Sequence, residues 1–131
     1  MNERRIMSTE FSRALARLRA GVAEDPGKSD LVFDGVIQRF EFCFELGWKL
    51  LKSLLHHQGI ESASPRACIK EALRAGILTD GDAWIAMLEA RNRTSHIYDQ
   101  EDARVVYEKI KSEYEALLIT LEERASQIFQ D

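Results

Sequence analysis

The stretch from residue 30 to 58 constrains the fold more than any other part of the chain. Ser29-Asp30 offers helix caps at its start and Gly59 a stop at its end, and nothing between them interrupts a helical pattern. At the usual rise per residue such a helix is about 40 Å long, the full height of a helical bundle. Phe33, Ile37, Phe40, Phe44, Leu51 and Leu55 fall on one face, with Gly47 among them where a neighbouring helix could come close. Phe42 and Leu46 point almost the opposite way. A helix apolar on two sides is expected to be covered on two sides, so a further helix or a second copy of the chain should meet Phe42 and Leu46. Glu45 and Lys49 make an ordinary i, i+4 pair. Glu41 and Glu45 share that spacing and could be read as paired catalytic carboxylates, but no His or metal-ligand pattern accompanies them, which favours a structural or partner-facing role.

The remaining segments supply the partners this long helix needs. Residues 3 to 23 place Met7, Phe11, Leu15, Leu18 and Val22 on one stripe, ended by Asp25-Pro26-Gly27. Ser64-Pro65 opens a short helix with Cys68, Ile69, Ala72 and Leu73 inward, and Gly76 stops it. Thr79-Asp80-Gly81-Asp82 starts a fourth helix carrying Trp84 and Leu88, and a last one from about 101 to 129 carries Ala103, Val106, Ile110, Tyr114, Leu117, Leu121 and Ile128. Asp99, with Glu101 and Asp102 behind it, suits the positive end of that helix. No segment alternates at period two. The expected fold is all-α: an up-and-down four-helix bundle with one additional short helix, forming a single domain over 1–131.

Composition narrows the function classes. A net charge of −4 argues against a surface that is wholly a nucleic-acid footprint, although local patches stay open. Arg66, Lys70 and Arg74 form one such patch at steps of four; it reads as a solvated face or as a contact for phosphate or an acidic partner. No apolar run approaches a membrane span, and Met1-Asn2-Glu3-Arg4-Arg5 leads into an amphipathic stretch rather than a signal core, so a cytoplasmic protein without membrane contact is expected. Cys43 and Cys68 lack ligand or disulfide spacing and read as reduced core residues. The adjacent His56 and His57 diverge on a helix, which suits the C-terminal dipole and not a metal. Neither a metal nor a cofactor is called for.

Chemistry gathers in one place. Glu89-Ala-Arg91-Asn92-Arg93-Thr94-Ser95-His96-Ile97-Tyr98 brings guanidinium, amide, hydroxyl, imidazole and phenol into ten residues at the corner between two helices. On an unbroken helix Asn92 and His96 share a face, whereas Arg91 and His96 lie roughly 140° apart. Arg91 and His96 would converge only if the helix breaks near Thr94-Ser95 or if a second copy supplies the partner. A base titrating near neutrality and a fixed cation are what metal-free RNA cleavage needs, but an Arg and a His at this spacing also occur by chance as packing or capping residues.

The segment from Asp34 to Lys49 (DGVIQRFEFCFELGWK), then Ser64-Pro65-Arg66, Ala72 to Leu78, Arg91-Asn92 and His96-Ile97-Tyr98 closely resembles the nucleotidyltransferase substrate-binding proteins of the HEPN superfamily. The resemblance spans nearly the whole chain, with its motifs in order. It implies an all-α homodimer in complex with a minimal nucleotidyltransferase (MNT), first regarded as the non-catalytic substrate-holding half of a split nucleotidyltransferase. Many HEPN proteins are regarded as toxin ribonucleases marked by Arg, four to six residues, then His, which Arg91 and His96 match with four between. The implied roles are His96 as general base or acid, Arg91 as phosphate clamp and Asn92 orienting His96. Tyr98 matches the tyrosine to which, in related pairs, the MNT antitoxin transfers AMP. Arg93, Arg66, Lys70 and Arg74 are the expected further contacts to substrate, with RNA as the candidate substrate. Thr94 and Ser95 are expected to add no chemistry.

Overall fold

A computed structural model describes residues 3–130; Met1 and Asn2 of the N-terminal run, and Asp131 of the expected 1–131 domain, lie outside the described residues. The helices are α1 (Glu3–Val22), α2 (Leu31–His57), α3 (Pro65–Arg74), α4 (Gly81–Arg93), α5 (Gln100–Lys109) and α6 (Glu115–Gln130). A single π-helical stretch, Ile110–Tyr114, joins α5 to α6 so that they form one rod without a break. Among the described residues there is no strand. The architecture is the all-α bundle that periodicity predicts, with α1, α2, α4 and the α5–α6 rod as its main members and α3 packed alongside.

The helix ends follow their local chemistry. Leu31 N–H donates to Ser29 Oγ at 3.1 Å at the head of α2, while Asp30 makes no side-chain cap. Ser64 Oγ accepts from Ala67 N–H ahead of Pro65. Gly59 and Gly76 both take left-handed φ, +81° and +78°, and let the next residue reach back: Ile60 N–H to Leu55 O and Ile77 N–H to Ala72 O, each 2.9 Å. These backward bonds satisfy carbonyls that the ends of α2 and α3 would otherwise leave open.

α2 is the centre of the molecule, packed against α1, α3, α5 and α6. Its predicted inner face, Phe33, Ile37, Phe40, Phe44, Leu51 and Leu55, is buried throughout. A Cβ on Gly47 would sit 3.1 Å from Phe11 of α1 and 3.5 Å from Leu121 of α6, so the missing side chain is what lets both helices close on α2. The opposite face is different. Phe42 is 60% exposed and Leu46 is half-buried; they share a shallow groove with Glu10, Arg13, Ala14, Arg17 and Arg39. Among the described residues no helix covers Phe42.

Along the α5–α6 rod the buried series is Ala103, Tyr107, Ile110, Tyr114, Leu118, Leu121 and Ala125. Sequence periodicity places Val106 and Leu117 there instead, and both are only half-buried. The buried residues follow one another at steps of four, three, four, four, three and four, an ordinary helical stripe that runs one position beside the one through Val106 and Leu117. Cys43 and Cys68 are free and buried, as expected of core thiols. His56 and His57 close α2, and His56 Nδ1 meets Glu61 Oε1 at 2.6 Å.

Candidate active site

Asp80 takes the left-handed conformation, φ 62°, which Asp tolerates better than most residues, and α4 begins at Gly81 immediately after it. Trp84, Met87, Leu88 and Ala90 then anchor α4 in the core, so the register of Arg91 is fixed by packing. The α-helix stops at Arg93. Thr94 to His96 form a 3-10 turn, Ile97 and Asp99 are extended, and Asp99 Oδ1 caps α5 by accepting from Asp102 N–H at 2.8 Å. The helix therefore does break at Thr94-Ser95, which turns His96 and Tyr98 onto the corner.

Arg91 points back toward α2. Its Nη1 lies 3.5 Å from Glu41 Oε2 and 3.4 Å from Thr94 Oγ1, and its Nε is buried without a hydrogen-bond partner. Thr94 is buried, with its hydroxyl 2.7 Å from Glu41 Oε2 and 2.7 Å from the Arg91 carbonyl. His96 is exposed, and its Nδ1 lies 3.4 Å from Tyr98 Oη. Tyr98 is 82% exposed. Within one chain, no hydrogen bond or ion pair joins His96 to Arg91 or to Asn92 among the described residues; Asn92 and Arg93 are exposed. Beside Tyr98 runs a cleft of about 280 Å³ lined by Asp30, Asp34, Ile97, Tyr98, Asp99 and Gln100. That side of the corner is acidic. No three His, Cys or carboxylate side chains among the described residues converge as a metal site, and no helix is long and apolar enough to cross a membrane.

Residues 7–127 match the family model described as nucleotidyltransferase substrate binding protein like. The chain belongs to this family. Over 86 residues it is 41% identical to the Haemophilus influenzae protein named "Probable ribonuclease HepT", a match covering 62% of this chain and 59% of that one, so the chain spans less than two thirds of this curated relative. Two solved structures share the family fold. A Thermus thermophilus protein is 34% identical with TM-score 0.80, covering 88% of this chain and 98% of its own. A Haemophilus influenzae protein, whose structure revealed the fold of a substrate binding domain of a nucleotidyltransferase, is 30% identical with TM-score 0.81, covering 92% and 99%. The tri-AMPylated HEPN toxin of Shewanella oneidensis, solved in complex with its MNT antitoxin, matches over the full length of both chains with TM-score 0.73; at 19% identity it shares the fold.

Within that family fold, the basic stripe is partly engaged. Arg66 faces Glu89 of α4 at 3.7 Å in an exposed pair, Arg74 faces Glu71 at 3.7 Å, and Lys70 is exposed. Arg93 stands near Tyr114: burial pushes that phenol above its ordinary value, Glu113 adds to the rise, and Lys109 and Arg93 oppose it. Sequence reasoning weighs Glu41 only beside Glu45, as structural or partner-facing, and misses the contacts of Glu41 and Thr94 with Arg91. Glu41 lies 50 positions before Arg91 and on another helix, so no local spacing links them; Thr94 reads as chemically silent in the sequence although its hydroxyl sits where α4 ends. The signal that could have found it is a Thr at a helix terminus, where hydroxyls commonly bond to the preceding turn.

Proposed function

We propose that this protein is the ribonuclease toxin of a toxin–antitoxin pair whose partner is a minimal nucleotidyltransferase. The observation that carries the reading is the Arg91–four residues–His96 pattern at the corner of a family fold, in a chain 41% identical to a relative named as a probable ribonuclease. His96 takes the proton of a ribose 2′-hydroxyl, whose oxygen then attacks the adjoining phosphorus. The bond to the 5′-oxygen breaks, leaving a cyclic phosphate and, after reprotonation, a 5′-hydroxyl. Arg91 holds the charge that collects on the phosphate, and the base and clamp together need no metal. Asn92 orients His96, and Arg93, Arg66, Lys70 and Arg74 meet the flanking backbone.

The protein acts as a homodimer in this reading. Arg91 and His96 face different partners within one chain, and a two-fold axis through the Phe42 face would let the motif meet its own copy. The MNT partner transfers AMP from ATP to Tyr98: Tyr98 Oη attacks the α-phosphate and pyrophosphate leaves. The adduct would grow from an oxygen 3.4 Å from His96 Nδ1 and cover the imidazole, which supports this residue as the point of control. Mixing the protein with its MNT partner and ATP should add AMP mass to the parent and none to Tyr98→Phe.

The experiment for the nuclease reading compares an RNA oligonucleotide with its 2′-deoxy counterpart. Cleavage of the first alone, ending in a cyclic phosphate, is expected; equal cutting of both, or of neither, overturns the reading. A second reading, a non-catalytic subunit that holds a nucleotide for the transferase, is favoured by the absence of any direct Arg91–His96 contact within the chain among the described residues. It predicts nucleotide binding lost in Arg91→Ala and no RNA cleavage by the parent.

A further inference from the structure

The contacts around Arg91 carry more than a location. A guanidinium has five N–H donors in a rigid fork, and its usefulness to a phosphate depends on which edge is free. Here Nε is buried and Nη1 is turned toward Glu41 and Thr94, so the fork's outer Nη2 edge is the one left to a ligand. The side chains of Arg91 and Glu41 are each about two-thirds buried, at 30% and 33% exposure, where an ion pair is screened less than on an open surface. Thr94 has one proton and two acceptors within 2.7 Å, Glu41 Oε2 and the Arg91 carbonyl. The proton goes to one of them at a time; when it goes to Glu41, the hydroxyl oxygen still accepts from Arg91 Nη1 at 3.4 Å and ties the carboxylate to the guanidinium.

We propose that Glu41 and Thr94 are positioning residues: a carboxylate on α2 and a hydroxyl at the end of α4 lock the Arg91 guanidinium in one orientation with its outer edge presented to the scissile phosphate. This rests on the nuclease reading above. Neither residue touches substrate. Glu41 also offsets part of the charge on Arg91, so its removal has two opposed consequences. The phosphate meets a stronger net positive field, which holds or lowers KM, and it meets a guanidinium that is no longer aimed, which lowers kcat. A residue that merely braces the fold would lower thermal stability and the concentration of active protein, without this split.

The test uses full-length Glu41→Ala, Glu41→Gln, Thr94→Val and Thr94→Ser with the RNA oligonucleotide as substrate. Glu41→Ala and Thr94→Val are expected to lose kcat by about 10- to 100-fold with KM unchanged or lower. Thr94→Ser, which keeps the hydroxyl, should return close to the parent rate, and Glu41→Gln, which keeps an acceptor for Thr94 but not the charge, should fall between. Nitrogen-15 NMR of the Arg91 side chain supplies the second readout: rotation about its Nε–Cζ bond is hindered in the parent and freed in Glu41→Ala. Unaltered kcat in Glu41→Ala, or equal loss in Thr94→Ser and Thr94→Val, overturns the positioning role while leaving the nuclease intact. A parent that cuts no RNA overturns the nuclease reading, and the NMR comparison then decides the anchoring separately: identical Arg91 rotation in parent and Glu41→Ala overturns it.

Discussion

Tyr107 is 1% exposed, packed against Phe33 at 5.0 Å between tilted ring centroids, and its hydroxyl is buried with no hydrogen-bond partner. A phenol held this way gives up its bond to water and gains none in return, so Tyr107→Phe should raise stability by about 1 kcal/mol. Thermal unfolding checks this, and a lower melting temperature would show that the oxygen is satisfied. Burial pushes the Cys43 thiol up to about 12, with Glu122 acting in the same direction, and burial also raises Cys68. Both thiols should therefore resist a thiol reagent at about pH 8 in the folded protein and react once it is unfolded by denaturant. A thiol whose folded pKa lies above its unfolded value contributes fully below the ordinary 9.0 and loses that contribution as pH rises toward 12, so stability should fall through the alkaline range.

Elements were legible in the sequence where one physical rule decided them. The two glycine stops, the Ser64-Pro65 start, the Asp99 cap and the inner face of α2 are each set by a local preference that nothing in the tertiary structure opposes. The inward register of the α5–α6 rod was not fully legible, because the stripe through Val106 and Leu117 and the stripe through Tyr107 and Leu118 are both helical in period, and packing against α2 chooses between them. The Arg91–Glu41 contact was illegible for a different reason: it depends on how α4 lies across α2, which no spacing within either helix encodes. The role of Gly47 could be read in advance, and its surroundings give the prediction. Gly47→Leu would drive a side chain into Phe11 and Leu121, and should destabilise by about 1–3 kcal/mol despite leucine's better helix propensity. Denaturant unfolding measures it; a midpoint equal to the parent's would mean that α1 and α6 do not close on α2 at this point.

At the scale of the whole molecule, the exposed Phe42 and the divided motif lead to the same expectation. A large ring 60% exposed on the central helix, in a groove with Leu46 and Ala14, fits an interface between copies, and the proposed site needs such a pairing to bring Arg91 and His96 together. Phe42→Glu should shift the protein from dimer to monomer in sedimentation and lose RNA cleavage while keeping its helical signal; a dimer that persists would place the interface elsewhere. Asp30, Asp34 and Asp99 line the cleft beside Tyr98, whereas Arg91 on the other side of the corner is paired with Glu41. The most direct test of the account is the rate of RNA cleavage by purified His96→Ala against the parent at equal thermal stability. A loss of about 100-fold or more is expected; a variant that cuts as fast as the parent would overturn the nuclease reading.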